Sequence, residues 1–378
     1  MGLQRGHRAK PLEWLAERLI FLVSLSAILM IFLIFVFIGR EAVPVAFGWM
    51  NSSRAQDFIP VDQMDQISPK KLQQYLELTD KQFAEMDHET KQALMEAKAD
   101  DAKSASKDKD AKVNTASWRH MLLPYQWAGY DRPVFIWQPV SEIRKFNIVP
   151  LIVGSLKTTL VALLVGVPLA LAAAIYVSQL ARPRVREIAK PIIELLAGIP
   201  SVVLGFFALI VMATVLQLLF NYQSRLNAFV AGVALGFSVI PVVFSIAEDA
   251  LTSVPRSYVQ AALALGASQW KAAWQVVLPA ALPGVFAAVA LGFGRAIGET
   301  MIVLMASGNA SIMSASIFDS TRTITATIAA ELGEAVFGSA HYRILFLIGV
   351  LLFAVTFLTN LFADLVMHRL KSKMEGKR

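Results

Sequence analysis

The chain has 378 residues, 56% of them hydrophobic, and a formal net charge of +7. Its mean hydropathy of +0.55 lies well above that of a soluble domain and points to a membrane protein. It contains no cysteine, which excludes disulfides and thiolate chemistry. The basic residues flank apolar runs instead of forming one stripe, which fits membrane topology and not nucleic acid.

In chain order, residues 1–18 carry Arg5, Arg8 and Lys10 and lead into an apolar run at 19–38. That run is longer than the roughly 7–15 apolar residues of a signal peptide, so a retained first span is predicted. Five further stretches, at 148–177, 195–220, 228–247, 285–305 and 344–366, reach the ~20 residues a membrane helix needs. Arg182, Arg184, Arg186 and Lys190 follow the second span, and residues 367–378 form a basic tail with Arg369, Lys371, Lys373, Lys377 and Arg378. The positive-inside rule puts both places and both termini in the cytoplasm, and puts 41–147, 221–227 and 306–343 outside. An all-α, six-span integral membrane protein is expected, with a core over 148–366 that contributes five of the spans.

The insertion over 39–147 has three textures. Ser68-Pro69 is a helix start, and Thr79 to Gln82 has capping-box spacing. Leu72, Tyr75, Leu76, Phe83 and Met86 offer a thin apolar face. Residues 97–117, AKADDAKSASKDKDAKVNTAS, are charge-balanced and poor in apolar groups, so a mobile linker is expected. Trp118, Tyr125, Trp127, Tyr130, Phe135 and Trp137 then form either an interfacial aromatic belt or the apolar patch of a small exterior domain.

The loop 248–284 is the longest internal one. Small residues from Ala261 predict a helix, and Gly266 permits a sharp turn. Trp270, Ala273, Trp274 and Val277 have the spacing of one helical face, and Pro279 and Pro283 are expected to end that helix before span five. Such a helix suits the membrane interface or a groove on another protein.

GFGRAIGETMIVLMASGN, residues 292–309, places Arg295 and Glu299 inside an apolar run. Two unpaired charges at mid-membrane would cost roughly 5–7 kcal/mol, so they must face protein or water. Four residues turn a helix by about 40° beyond a full circle, which would place both on one face. A structural ion pair and a way-station for an anion both remain open, the second because a guanidinium offers donors matched to oxyanions. Gly294 and Gly298, like Gly232 and Gly236 in span four, have the spacing that lets helices approach closely. Glu194, in a helix expected to begin at Pro191, has a sufficient explanation in the helix dipole. No G-x-x-x-x-G-K-[ST] loop occurs, so no ATP-binding motif is recognisable.

Gln260-Ala261-Ala262, then Gly266, then Val276-x-Leu278-Pro279 resembles the EAA loop of ABC-importer membrane subunits, with glutamine for the usual glutamate and valine for isoleucine. GFGRAIGETMIVLMASGN, with PIIELLAGIPSVVLGFF at 191–207 and GSAHYRILFL at 338–347, resembles the PstC type of phosphate ABC-importer permease over about 148–366. That resemblance implies the type I importer permease fold in a bacterial inner membrane. It implies a substrate path through Arg295, Glu299 and Thr300, and an ATPase-docking loop that includes Gln260, Ala261, Ala262, Gly266, Trp270, Trp274, Leu278 and Pro279. The implied partners are a homologous PstA-like permease, two PstB-like ATPases and a periplasmic PstS-like phosphate-binding protein, with no cofactor in this chain. A permease for sulfate or molybdate and a scaffold for phosphate signalling are the alternatives.

Overall fold

A computed structural model describes residues 11–52, 64, 67–76, 78–105 and 110–374 and is mostly helical. Arg5, Arg8, Lys10, Lys377 and Arg378 lie outside the described residues. Helix α1 (Pro11–Ala46) contains the first span. From Leu19 to Phe37 its apolar side chains stay exposed, as a helix bathed in lipid requires, and it touches the bundle there through edge-on ring contacts of Phe35 with Phe353 and Phe37 with Phe346.

The insertion begins with α2 (Pro69–Leu76), α3 (Asp80–Glu85) and α4 (His88–Ala105). Thr79 Oγ1 accepts the Gln82 N–H while Gln82 Oε1 accepts the Thr79 N–H, which completes the expected capping box. Leu72, Leu76 and Met95 form a small core with Met64. The linker expectation fails on the described residues: α4 continues to Ala105, and Asp110, Thr115 and Ala116 are buried. Residues 106–109 lie outside the described residues. What composition could not reveal is the partner, because Asn114 Oδ1 accepts from Ser52 N–H at 3.1 Å and Asn114 Nδ2 donates to the Met50 carbonyl, tying this stretch to the end of α1.

Next come α5 (Trp118–Leu122) and a short antiparallel pair, β1 (Trp137–Gln138) and β2 (Lys145–Phe146), with Trp137 opposite Phe146. Trp127 and Trp137 are buried, and Trp118 Nε1 donates to the Ala46 carbonyl at 2.8 Å. The aromatic cluster is thus the patch of a packed unit, not a belt. Its core joins Ala42 and Val45 of α1 to Ile344, Leu345 and Ile348.

The bundle follows as α6 (Val149–Ile175), extended by a π turn to Leu180, then α7 (Pro183–Leu195), α8 (Ser201–Phe207), a π turn, α9 (Ala213–Phe220) and α10 (Ala228–Thr252). After the loop helices α11 (Arg256–Ala264) and α12 (Gln269–Ala272) come a third π turn, α13 (Leu278–Gly298), α14 (Met301–Ala306), α15 (Ile324–Glu331) and α16 (Ala340–Met374). Six helical stretches among the described residues are long and apolar enough to cross a membrane: 17–46, 149–180, 201–220, 228–252, 269–298 and 340–369. Pro191 lies inside α7, which starts at Pro183, so Glu194 sits in the last turn and the dipole explanation for it does not hold. Residues 187 and 191 are exposed, so the carbonyl that proline leaves without a donor can face water.

Helix α10 is central, packed against α6 and α13, while α16 bridges α13 and α1. The expected close approach occurs at Gly232 and Gly236: a side-chain carbon on Gly232 would meet the Thr158 carbonyl at 2.9 Å, and one on Gly236 the Ala162 carbonyl at 3.1 Å. The Gly294 and Gly298 expectation is corrected. Gly298 faces open space and Gly294 faces the Asn360 side chain, whereas the tight contacts of α13 with α10 are at Gly284 against Ala250 and at Gly292 against Val243.

Candidate functional site

Span five does not continue through the charged stretch. Helix α13 ends at Gly298, Glu299 turns extended (φ −67°, ψ 136°), and α14 starts at Met301. The expected single face carrying Arg295 and Glu299 therefore does not exist, and no ion pair joins them among the described residues. Each charge answers a helix end instead. Arg295 stands in the last turn of α13, where the dipole favours a cation. Glu299 Oε1 accepts the Thr300 and Met301 amides at 3.0 and 3.1 Å and so caps the start of α14 with a carboxylate. The break is held from α15, as Thr325 Oγ1 donates to the Glu299 carbonyl at 2.8 Å. Thr300 Oγ1 turns back to the Gly298 carbonyl at 3.4 Å.

Arg295 is exposed, and no hydrogen bond or ion pair from a described residue reaches its guanidinium. It lines an open hollow of about 460 Å³ between α13 and α16, together with Gly294, Gly298, Phe353, Thr356 and Asn360. Among the described residues no carboxylate lines that hollow. A guanidinium held without a counter-charge in an apolar wall offers its five donors to whatever anion enters.

The 256–279 loop is a pair of short helices around Gly266, whose φ of +86° lies in the left-handed region that a side chain disfavours. Helix α11 starts at Arg256, earlier than the expected Ala261, and carries Gln260, Ala261 and Ala262. Ser268 caps α12 by accepting the Lys271 N–H. Two expectations are corrected here. Pro279 and Pro283 do not end the helix: α12 runs through a π turn over 273–277 into α13, with Leu278 and Pro279 in the first turn of α13. A π turn has already moved its hydrogen bonds off the i→i+4 ladder, so a proline just after it removes little. The same extra residue rotates the predicted stripe apart. Ala273 and Val277 are buried, whereas Trp270 and Trp274 are 57% and 44% exposed with their rings 5.7 Å apart.

Two charge clusters were not anticipated. Glu248, fully buried in the last turns of α10, accepts from Arg186 at 2.6 Å and from Lys190 at 2.7 Å, which fastens α7 to the base of the loop. The hydrogen bond to Glu248 raises the Lys190 pKa above its ordinary value. The four-residue spacing of Arg186 and Lys190 was a usable signal, read only as topology. At the opposite end of the bundle, Glu331 binds Arg322 at 2.9 Å, His341 Nε2 at 2.8 Å and Trp137 Nε1 at 3.1 Å. This cluster joins the insertion to α15 and α16, across 194 residues that no local pattern spans.

The family model described as "Binding-protein-dependent transport system inner membrane component" matches residues 166–375. The chain is 35% identical over 223 residues to the "Probable ABC transporter permease protein YqgH" of Bacillus subtilis, covering 59% of this chain and 72% of that one. It is 34% identical over 256 residues to the "Phosphate transport system permease protein PstC" of Mesorhizobium japonicum, covering 63% and 77%. Among solved structures, the inward-facing MetNI methionine ABC transporter is similar at 17% identity and a TM-score of 0.45, covering 59% of this chain and 94% of that one. The family match spans more than half of the chain and takes in both the 256–279 loop and the break after Gly298. The chain therefore belongs to the inner-membrane components of binding-protein-dependent transport systems, as a permease subunit of an ABC importer.

Proposed function

We propose that this permease subunit forms half of the path of an ATP-driven importer of inorganic phosphate. The observation that carries the reading is Arg295, a guanidinium in the last turn of a membrane span that no described residue pairs, open to a hollow that no described carboxylate lines. The names of the PstC relatives support phosphate as the anion. Glu299 serves by capping α14, which keeps the break open and leaves Arg295 free. A cation at the negative end of a helix binds an anion only moderately, which suits passage better than capture.

The energy enters from another chain. Exposed Leu265, Trp270 and Trp274 around the Gly266 turn give an ATPase an apolar ridge to grip, and the Glu248 cluster passes the movement of that ridge to α7 and α10. The second half of the path comes from a PstA-like permease, two PstB-like ATPases dock on the cytoplasmic loops, and a PstS-like protein delivers the anion from the periplasm. Both termini are cytoplasmic in this arrangement, and the 39–147 insertion is periplasmic. The test is ATP-dependent uptake of labelled phosphate by vesicles containing the reconstituted complex, with sulfate and molybdate as competitors. Competition by either oxyanion as effective as by unlabelled phosphate would overturn the substrate assignment.

A further inference from the structure

One polar group in the hollow has no role in the reading above. Asn360 lies in α16, with Thr356 one turn before it and Phe357, Leu358, Leu361 and Phe362 exposed around it. An amide in such a helix is costly unless something binds it. Among the described residues no hydrogen bond reaches it. Its side chain faces α13, where a carbon added to Gly294 would lie 3.4 Å from Asn360 Oδ1 and 3.8 Å from Nδ2. The absence of a side chain at 294 thus makes room for the amide one residue before Arg295, and both line the same hollow. The Thr356 hydroxyl is already given to the Leu352 and Phe353 carbonyls, so among the described side chains of the hollow the amide and the guanidinium are the free donors.

We infer that Asn360 is the second ligand of the anion in this hollow and distinguishes phosphate from sulfate by accepting the proton of the phosphate hydroxyl. The inference rests on Arg295 being the anion station and adds selectivity to it. Arginine offers donors alone and binds any oxyanion. Near neutral pH phosphate keeps at least one P–OH, whereas sulfate has no proton to give. An amide has both an acceptor oxygen and donor hydrogens, so it can take the P–OH on Oδ1 and still donate through Nδ2. A site that expects a donated proton rejects the analogue lacking it, because its acceptor is left facing an anionic oxygen.

The chain has no native cysteine, so Thr356→Cys places a single thiol of this subunit in the hollow. In the full complex, modification of that thiol by a water-soluble methanethiosulfonate is followed on this chain, with added inorganic phosphate or sulfate. Phosphate should slow modification at concentrations at least about tenfold lower than sulfate, and Asn360→Leu should erase the difference. Asn360→Leu should also lower phosphate uptake about tenfold with the subunit present at undiminished level, since leucine suits a lipid-facing helix. A thiol at 356 that water-borne reagent never reaches, because lipid or the second permease fills the hollow, overturns the inference. So does an Asn360→Leu subunit that transports normally or still discriminates the anions. Loss of uptake in Arg295→Gln together with normal uptake in Asn360→Leu removes only this inference, whereas normal uptake in Arg295→Gln removes the reading beneath it.

Discussion

Replacing Glu299 separates a capping carboxylate from half of an ion pair. Its Oε1 accepts two backbone amides at 3.0 and 3.1 Å, and Arg295 is not among its partners. Glutamine retains an acceptor oxygen, so Glu299→Gln forfeits only the charge at the start of α14, about 0.5–1 kcal/mol. Glu299→Ala removes the cap and should cost about 1–2 kcal/mol. A buried ion pair predicts a different pattern: either single substitution strands a charge at about 3–5 kcal/mol, and the double substitution recovers much of it. The assay is a double-mutant cycle on the purified complex, with unfolding midpoints of wild type, Arg295→Gln, Glu299→Gln and the double variant. Independent helix-end roles predict near-additivity, with a coupling below about 0.5 kcal/mol. A coupling above about 1.5 kcal/mol, with the double variant more stable than either single, would refute the assignment of each charge to its own helix end.

Gly266→Val should strain the left-handed turn by about 1–2 kcal/mol, reducing co-purification of the ATPase; unchanged retention would remove the docking role of the turn. Trp270→Ala with Trp274→Ala should weaken ATPase retention while leaving the subunit's own level unaltered, because both rings are largely exposed. The raised Lys190 pKa means its tie to Glu248 contributes fully below the ordinary lysine value of 10.5 and fades only as pH rises through the raised one. Proteolysis of the 181–200 connection should therefore be steady across neutral pH and accelerate in strong alkali, or at neutral pH in Glu248→Gln. In the insertion, burial and then Arg119 depress the His120 pKa below its ordinary 6.5, so stability is present above 6.5 and declines as pH falls from there towards the lowered value. Its unfolding midpoint should drop between pH 7 and 5, and His120→Gln should flatten that slope.

Hydropathy carried the six spans, since lipid imposes the same length and apolarity on each helix whatever its neighbours. Local rules with a single stereochemical cause were legible too, as at the Gly266 turn and the Thr79 capping box. Features that add or remove one residue of helical register were not. A window average cannot see the break after Gly298, because Glu299, Thr300 and Met301 neither stop a helix by type nor lower the hydropathy much. The π turn at 273–277 defeated the stripe argument in the same way, turning Trp270 and Trp274 outward while Ala273 and Val277 went in. The 110–117 stretch looked unable to pack because its partners, Met50 and Ser52, are more than sixty residues away in sequence. Arg295 itself was legible as a charge in the wrong solvent. That it stands without its sequence neighbour Glu299 required the fold.

The most direct test of an unpaired guanidinium as the anion station is uptake per assembled complex in Arg295→Gln and Arg295→Lys, measured in vesicles with the second permease, the ATPases and the binding protein. Glutamine keeps the bulk and loses the charge, so phosphate uptake should fall at least about a hundredfold with assembly intact, and lysine, a point charge without the fork, should restore a minor part of it. Wild-type uptake by a fully assembled Arg295→Gln complex would contradict the account.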